Sequence, residues 1–183
     1  MSAIQTIIEA RSGSREAFTS LIRDSEHKMY VIAKGILRSE SDVADAMQET
    51  IMRAYSGIAK LREPAFFRTW LIRILINECR RIIQQNRKYV SLMKAEDSRG
   101  LADDLSVSAQ LEMDDLLNGL DLQHKEVVVL FYLEDFTIKD IATMLDISES
   151  AVKSRLHRAR LKLAVLMRET ERGVDDREAI SHR

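Results

Sequence analysis

The sequence predicts an all-α fold of two small helical bodies joined by a flexible acidic linker, and three observations predict it. Among 183 residues there are one proline and six glycines, well under the roughly 12 % that these two residues make up in an average protein. Apolar residues are 45 % and charged residues 31 % of the chain, a mixture that suits helices with one buried and one solvated face. Apolar positions recur at three- and four-residue steps rather than at alternate positions, which is the period of a helix and not of a strand.

The first body spans residues 1–90. Phe18, Leu21, Ile22, Met29, Ile32, Ala33 and Ile36 form the apolar stripe of one helix. Ser39 or Ser41 can cap a second, in which Val43, Met47, Ile51, Ala54 and Ile58 face inward while Asp42, Asp45 and Glu49 line another side. Pro64 breaks the pattern, because proline disfavours a helical conformation in the residue before it. A third helix over 66–88 carries Phe66, Phe67, Trp70, Leu71, Ile74, Leu75, Ile82 and Ile83.

Periodicity fades over 91–108, where Ser98, Gly100, Ser106 and Ser108 gather, and a linker is expected there. The second body, 109–170, reads as helices over 109–119, 123–133, 138–145 and 149–167. Val127, Val128 and Val129 favour a strand locally, but Asp121 can cap a helix at this point and no partner strand is evident. The last stretch, 171–183, is a polar tail expected to fray.

A net charge of −1 conceals blocks of opposite sign, and a ligand meets the local field. Arg73, Arg80, Arg81, Arg87 and Lys88 stand against Glu78 alone, a local +4. From Lys153 to Lys162 five cations meet no acid, whereas 96–121 holds eight carboxylates against Arg99. The single cysteine, Cys79, cannot form an internal disulfide, which suits a cytoplasmic location. The longest apolar run, Val127 to Leu133, is too short to cross a bilayer, and Met1 to Glu16 has no basic leader followed by an apolar stretch. His27, His124, His157 and His182 are scattered, without metal-ligand spacing, and there is no glycine-rich phosphate loop. Neither a metal, a cofactor nor a small-molecule substrate is expected, and Cys79 reads as a packed residue rather than a nucleophile.

One segment has a more specific shape. Thr137 caps a short helix, with Asp140 three residues on and Ile138, Ile141, Ala142 and Leu145 on its buried side. Asp146, Ile147 and Ser148 then make a tight turn, in which Asp146 tolerates a left-handed backbone, Ile147 plugs the angle and Ser148 caps the next helix. On that helix Val152, Leu156, Ala159 and Leu163 share a narrow arc, leaving Ser150, Lys153, Ser154 and His157 on the far side, with Arg155, Arg158 and Arg160 flanking. This is a helix-turn-helix whose second helix fits a DNA major groove.

Asp135 to Leu163 resembles region four of bacterial extracytoplasmic-function sigma factors of the sigma-70 family. Asp42 to Tyr55 resembles the core-polymerase-binding part of sigma region two, and Phe67 to Asn77 the promoter-melting part that follows it. The three motifs stand in family order across roughly residues 14–167. The resemblance implies an RNA polymerase initiation subunit. Its second region would bind the beta-prime clamp of core RNA polymerase and open the minus-ten element of promoter DNA. Its fourth would meet the beta flap and read the minus-thirty-five element, and a cognate anti-sigma factor, often membrane-bound in the family, would mask the polymerase-binding surfaces.

Residue by residue, the resemblance places Asp42, Asp45, Gln48 and Glu49 against the clamp. Leu61 and Arg62 fall in the loop, 61–65, that captures an extruded minus-ten base. Asn77 matches the base-reading asparagine, with Arg73, Arg80 and Arg81 as phosphate neighbours. Trp70 is left open between base stacking and core packing, and Phe66 and Phe67 go to packing. Lys153, Ser154, His157 and Arg158 lie nearest the minus-thirty-five element, and Arg155 and Arg160 are phosphate contacts or packing. Two other readings stay open: a stand-alone helix-turn-helix regulator, which leaves the first body unexplained, and a sigma-sequestering adaptor.

Overall fold

The computed structural model describes residues 3–94 and 116–181. Helix α1 (Ala3–Arg11) and α2 (Arg15–Ile36) are joined by a turn at Gly13, whose φ of +102° favours glycine. The Ser14 hydroxyl accepts from the Ala17 amide and caps α2. Then come α3 (Glu40–Gly57), 3-10 turns at Ile58–Lys60 and Pro64–Phe66, and α4 (Phe67–Lys94). In the carboxyl-terminal half α5 (Leu122–Val128) widens into a π-helical turn (Val129–Leu133), followed by α6 (Ile138–Leu145) and α7 (Glu149–Ser181). No strand occurs among the described residues, so the valine run is helical.

The apolar stripes meet where the sequence places them. Phe18, Met29, Ile32 and Ile36 of α2 pack with Leu71, Leu75, Ile76 and Cys79 of α4 in one buried cluster. Helix α3 is turned slightly from expectation: Val43, Ala46, Thr50 and Ala54 are fully sheltered, while Met47 and Ile51 are only partly so. Thr50 donates its hydroxyl to the Ala46 carbonyl at 2.7 Å, which satisfies the one polar group on that seam.

Three expectations need correction. Residues 91–94, placed in the linker, continue α4, because Leu92, Met93 and Lys94 are good helix formers. Residues 171–181, set apart as a polar tail, are helical as the continuation of α7 to Ser181. Phe66, given to packing, is 58 % exposed, because it ends a 3-10 turn rather than starting the helix. The rest of the linker and most of the helix expected over 109–119 lie outside the described residues, although 116–118 are helical.

Asp121 caps α5 by accepting from the His124 amide, and its other oxygen lies 2.7 Å from His124 Nδ1. Partial burial works against its charge, but the hydrogen bonds from His124, with help from Lys162, outweigh it and lower its pKa. A lowered carboxylate stabilises the fold above its unfolded pKa and loses that contribution as pH falls through the folded one. Asp121→Ala is therefore expected to cost about 1 kcal/mol near neutrality. In urea melts the deficit should shrink in strong acid, and a deficit that stayed constant there would contradict this account.

Candidate nucleic-acid and polymerase interface

The helix-turn-helix forms as its local signals dictate. The Thr137 hydroxyl accepts from the Asp140 amide at 3.1 Å and donates to the Asp140 carboxylate at 2.6 Å. Asp146 adopts φ 58° and ψ 48°, the left-handed turn residue anticipated. Ser148 accepts from the Ala151 amide to start α7. Val152, Leu156 and Ala159 are buried, which turns Lys153, Ser154, His157 and Arg158 to solvent, with Arg155 half-buried. Among the described residues none of Lys153, Arg155 and Arg158 makes an ion pair, so their charge is available to an anion. Arg160 differs: its guanidinium hydrogen-bonds the Tyr132 hydroxyl.

On α4, Trp70, Arg73, Asn77 and Arg80 lie along one side. Trp70 is half-buried, with its ring 6.0 Å from Phe67 and its edge against Gly57, where an added Cβ would stand 3.2 Å from the indole. Its outer surface lines a cavity of about 280 Å³ with Leu61, Arg62, Phe66 and Arg73. Glu63, Thr69 and Thr143 complete the lining, and the wall is mostly hydrocarbon, bordered by two arginines and the Glu63 carboxylate, so that an unstacked base could lie against it. Phe66 thus belongs to this cavity, which the spacing of aromatics alone does not reveal. Asn77 is exposed. Arg81 turns away: it donates to Glu78 at 2.6 Å and to Gln85 at 3.1 Å. Glu78 is buried and also faces Arg53 at 2.9 Å, so Arg81 balances an interior charge.

On α3, Asp45 and Gln48 are exposed, Asp42 accepts from Asn86 at 2.9 Å, and Glu49 pairs with Arg53 at 2.8 Å. Met52 and Tyr55 continue this stripe and are 58 % and 47 % exposed. The sequence reading passed over them, although their three- and four-residue steps from Gln48 signal the shared face. An acidic patch thus grades into exposed apolar side chains along one side of α3.

The two bodies also touch each other. Arg80 grips Glu126 with two hydrogen bonds of 2.6 and 2.7 Å, and Arg68 lies 4.4 Å over the Phe136 ring. Neither Glu126 nor Phe136 had been singled out, because a charge inside an apolar run and a lone aromatic carry no sign of a distant partner. Cys79, beside Arg80, is fully buried, and burial with the nearby Glu126 carboxylate pushes its thiol up to about 12. No cluster of His, Cys, Asp and Glu among the described residues could hold a metal ion, and no helix there is long and apolar enough to cross a membrane.

The sigma-70 region 2 model matches residues 21–89, and the sigma-70 region 4 model matches 110–163. Sigma factor SigM of Mycobacterium tuberculosis, an extracytoplasmic-function factor, is 30 % identical over 167 residues, covering 91 % of this chain and 85 % of its own. The chain belongs to the extracytoplasmic-function sigma factors of the sigma-70 family. Another relative, sigma factor NccH of Alcaligenes xylosoxydans, is 31 % identical over 172 residues, covering 88 % of this chain and 92 % of its own. Among solved structures, CnrH in complex with the cytosolic domain of CnrY superimposes with a TM-score of 0.73 at 26 % identity, over 92 % of this chain and 99 % of that one. In the terms of this family, α3 and α4 carry region two and the helix-turn-helix is region four.

Proposed function

We propose that this sigma factor joins core RNA polymerase and directs it to start transcription at particular promoters. One observation carries the reading. A single chain holds a solvent-facing basic helix of helix-turn-helix geometry and, beside Trp70 and Phe66, a largely apolar cavity bordered by Arg62, Arg73 and Glu63. A duplex-reading element paired with a single-strand-reading one suits a protein that must find a promoter and then open it.

In this reading Lys153, Ser154, His157 and Arg158 face the minus-thirty-five element, with Arg155 on the neighbouring phosphates. Asn77 reads an unpaired minus-ten base while Trp70 and Phe66 flank the cavity that takes another, and Arg62, Arg73 and Arg80 neutralise the strand. The stripe of Asp45, Gln48, Glu49 and Met52 docks on the polymerase clamp, and region four meets the flap. The protein works in the cytoplasm, has no catalytic residue of its own and requires no cofactor. A protein that covers these faces, as CnrY binds CnrH, regulates it.

Asp45 is the cleanest probe of the clamp contact, being exposed and outside the Glu49–Arg53–Glu78 ion network. Asp45→Lys is expected to weaken core binding at least tenfold in a titration of labelled protein, with unchanged thermal melting. Unaltered affinity would remove Asp45 from the interface. The functional reading itself is tested by runoff transcription with purified core enzyme on a genomic promoter library. Discrete start sites that depend on added protein support it. A protein that retards duplex DNA yet never restores initiation contradicts it.

A further inference from the structure

The loop over 61–65 is held from outside as well as from within. Its own backbone bonds lie at its two ends, where the Leu61 amide donates to the Ile58 carbonyl at 3.0 Å and the Phe66 amide to the Glu63 carbonyl at 3.1 Å. Arg62 lies between them and exchanges no backbone–backbone hydrogen bond among the described residues. Its carbonyl accepts instead from the guanidinium of Arg11, 51 residues earlier, at 3.3 Å. Arg11 is the half-buried last residue of α1, and α1 packs against α2 and against both 3-10 turns that flank the loop.

The end of α1 is fixed without help from the loop. The Gly13 amide donates to the Ala10 carbonyl and the Ser14 amide to the Glu9 carbonyl, with Gly13 in the left-handed region. This closure sets the direction in which the last helical side chain leaves. Ile7 and Ala10 are buried in the same cluster as Ile58 and Leu61. The helix is thus anchored along one side by packing, and its tip carries a donor that stays protonated at any working pH.

We infer that α1 is a splint for this loop, with Arg11 as a positioning residue. By holding the Arg62 carbonyl it fixes the shape of the cavity that Leu61, Arg62, Glu63 and Phe66 form beside Trp70, and so sets how sharply that cavity distinguishes one unpaired base from another. A wall held in one shape rejects a base that does not fit it, whereas a wall free to move accommodates the wrong base too. A cation in the last turn of a helix also stabilises that helix through its dipole. That role alone would leave base choice untouched, which makes the two separable.

The inference rests on the assignment of 61–65 to a captured minus-ten base, and its test has one arm without polymerase and one with it. In the full chain Arg11→Ala removes the donor and Arg11→Lys restores one. Amide hydrogen exchange of the free protein is followed by mass spectrometry over 58–67 and over α2 and α4. Runoff with core polymerase is measured on promoters carrying each of the four bases at each minus-ten position in turn, and on a second set varied in the minus-thirty-five element.

Arg11→Ala is expected to speed exchange over 58–67 by about fivefold or more while α2 and α4 keep their protection. Preference at a single minus-ten position should fall about threefold or more, with minus-thirty-five preference and core affinity unchanged. Arg11→Lys should recover more than half of both effects. Exchange that stays the same over the loop, or rises equally along the whole chain, would overturn the inference. So would a loosened loop with base preference intact, or a loss that lysine leaves unrepaired. If the loop loosens as expected but no promoter is ever used, the functional proposal fails while the splint stands.

Discussion

Arg158→Ala is expected to change which promoters are used rather than how strongly all of them are used. Arg158 is solvent-exposed on the outer side of α7, between buried Leu156 and Ala159, and no carboxylate among the described residues claims it. A guanidinium fork bound to a guanine edge is worth roughly 1 to 3 kcal/mol of discrimination against the wrong base. Promoters carrying the preferred base should therefore lose about 5- to 150-fold in competitive runoff, while those lacking it change little. Arg160→Ala is the control: its guanidinium is committed to Tyr132, so it should act through stability and with little regard to promoter sequence. Equal losses on every promoter for Arg158→Ala would reassign the side chain to the phosphate backbone.

Trp70→Ala is expected to impair strand opening more than promoter binding. The indole packs on Gly57 with one edge and lines the cavity beside Leu61 and Phe66 with the other, so it serves both the fold and the proposed base site. Stacking of an unpaired base is worth roughly 1 to 3 kcal/mol, which corresponds to about 5- to 150-fold in open-complex formation. Trp70→Phe retains an aromatic face and should recover most of that loss, whereas a purely structural role would show as lowered thermal stability in both variants without a difference on DNA. Closed-complex affinity and opening rate, measured separately by stopped-flow with a fluorescent promoter, tell these apart. An unchanged opening rate in Trp70→Ala would exclude stacking.

What the sequence displays and what it hides follow from range. The helix-turn-helix is legible because each of its signals is local: Thr137 with Asp140, Asp146 at the left-handed position, and Ser148 before Ala151 lie within a few residues of what they control. The exposure of Lys153 and Arg158 follows from the burial of Val152 and Leu156 on the same helix. The ionic pairing of the two bodies is of the other kind. Arg80 and Glu126 are 46 residues apart, and each looks in sequence like an ordinary surface charge. Arg81, next in the chain, resembles Arg80 in every local respect, yet it turns to the buried Glu78 instead. Gly35 carries no turn and no positive φ, so only the approach of Val129 explains it. Phe66 is misread because a 3-10 turn rotates it out of the helical pattern on which its packing was argued.

Permanganate probing of promoter complexes tests the central claim most directly, because it oxidises unstacked thymines and so reports where a duplex has been opened. With core polymerase and this protein together, reactive thymines are predicted in one short tract at the minus-ten position, about two helical turns from a region protected by α7. The reactivity should be lost with core alone and with the protein alone, and be weakened by Trp70→Ala. Protection of the upstream site without any reactive thymines, on promoters that the protein demonstrably occupies with polymerase, would contradict the account.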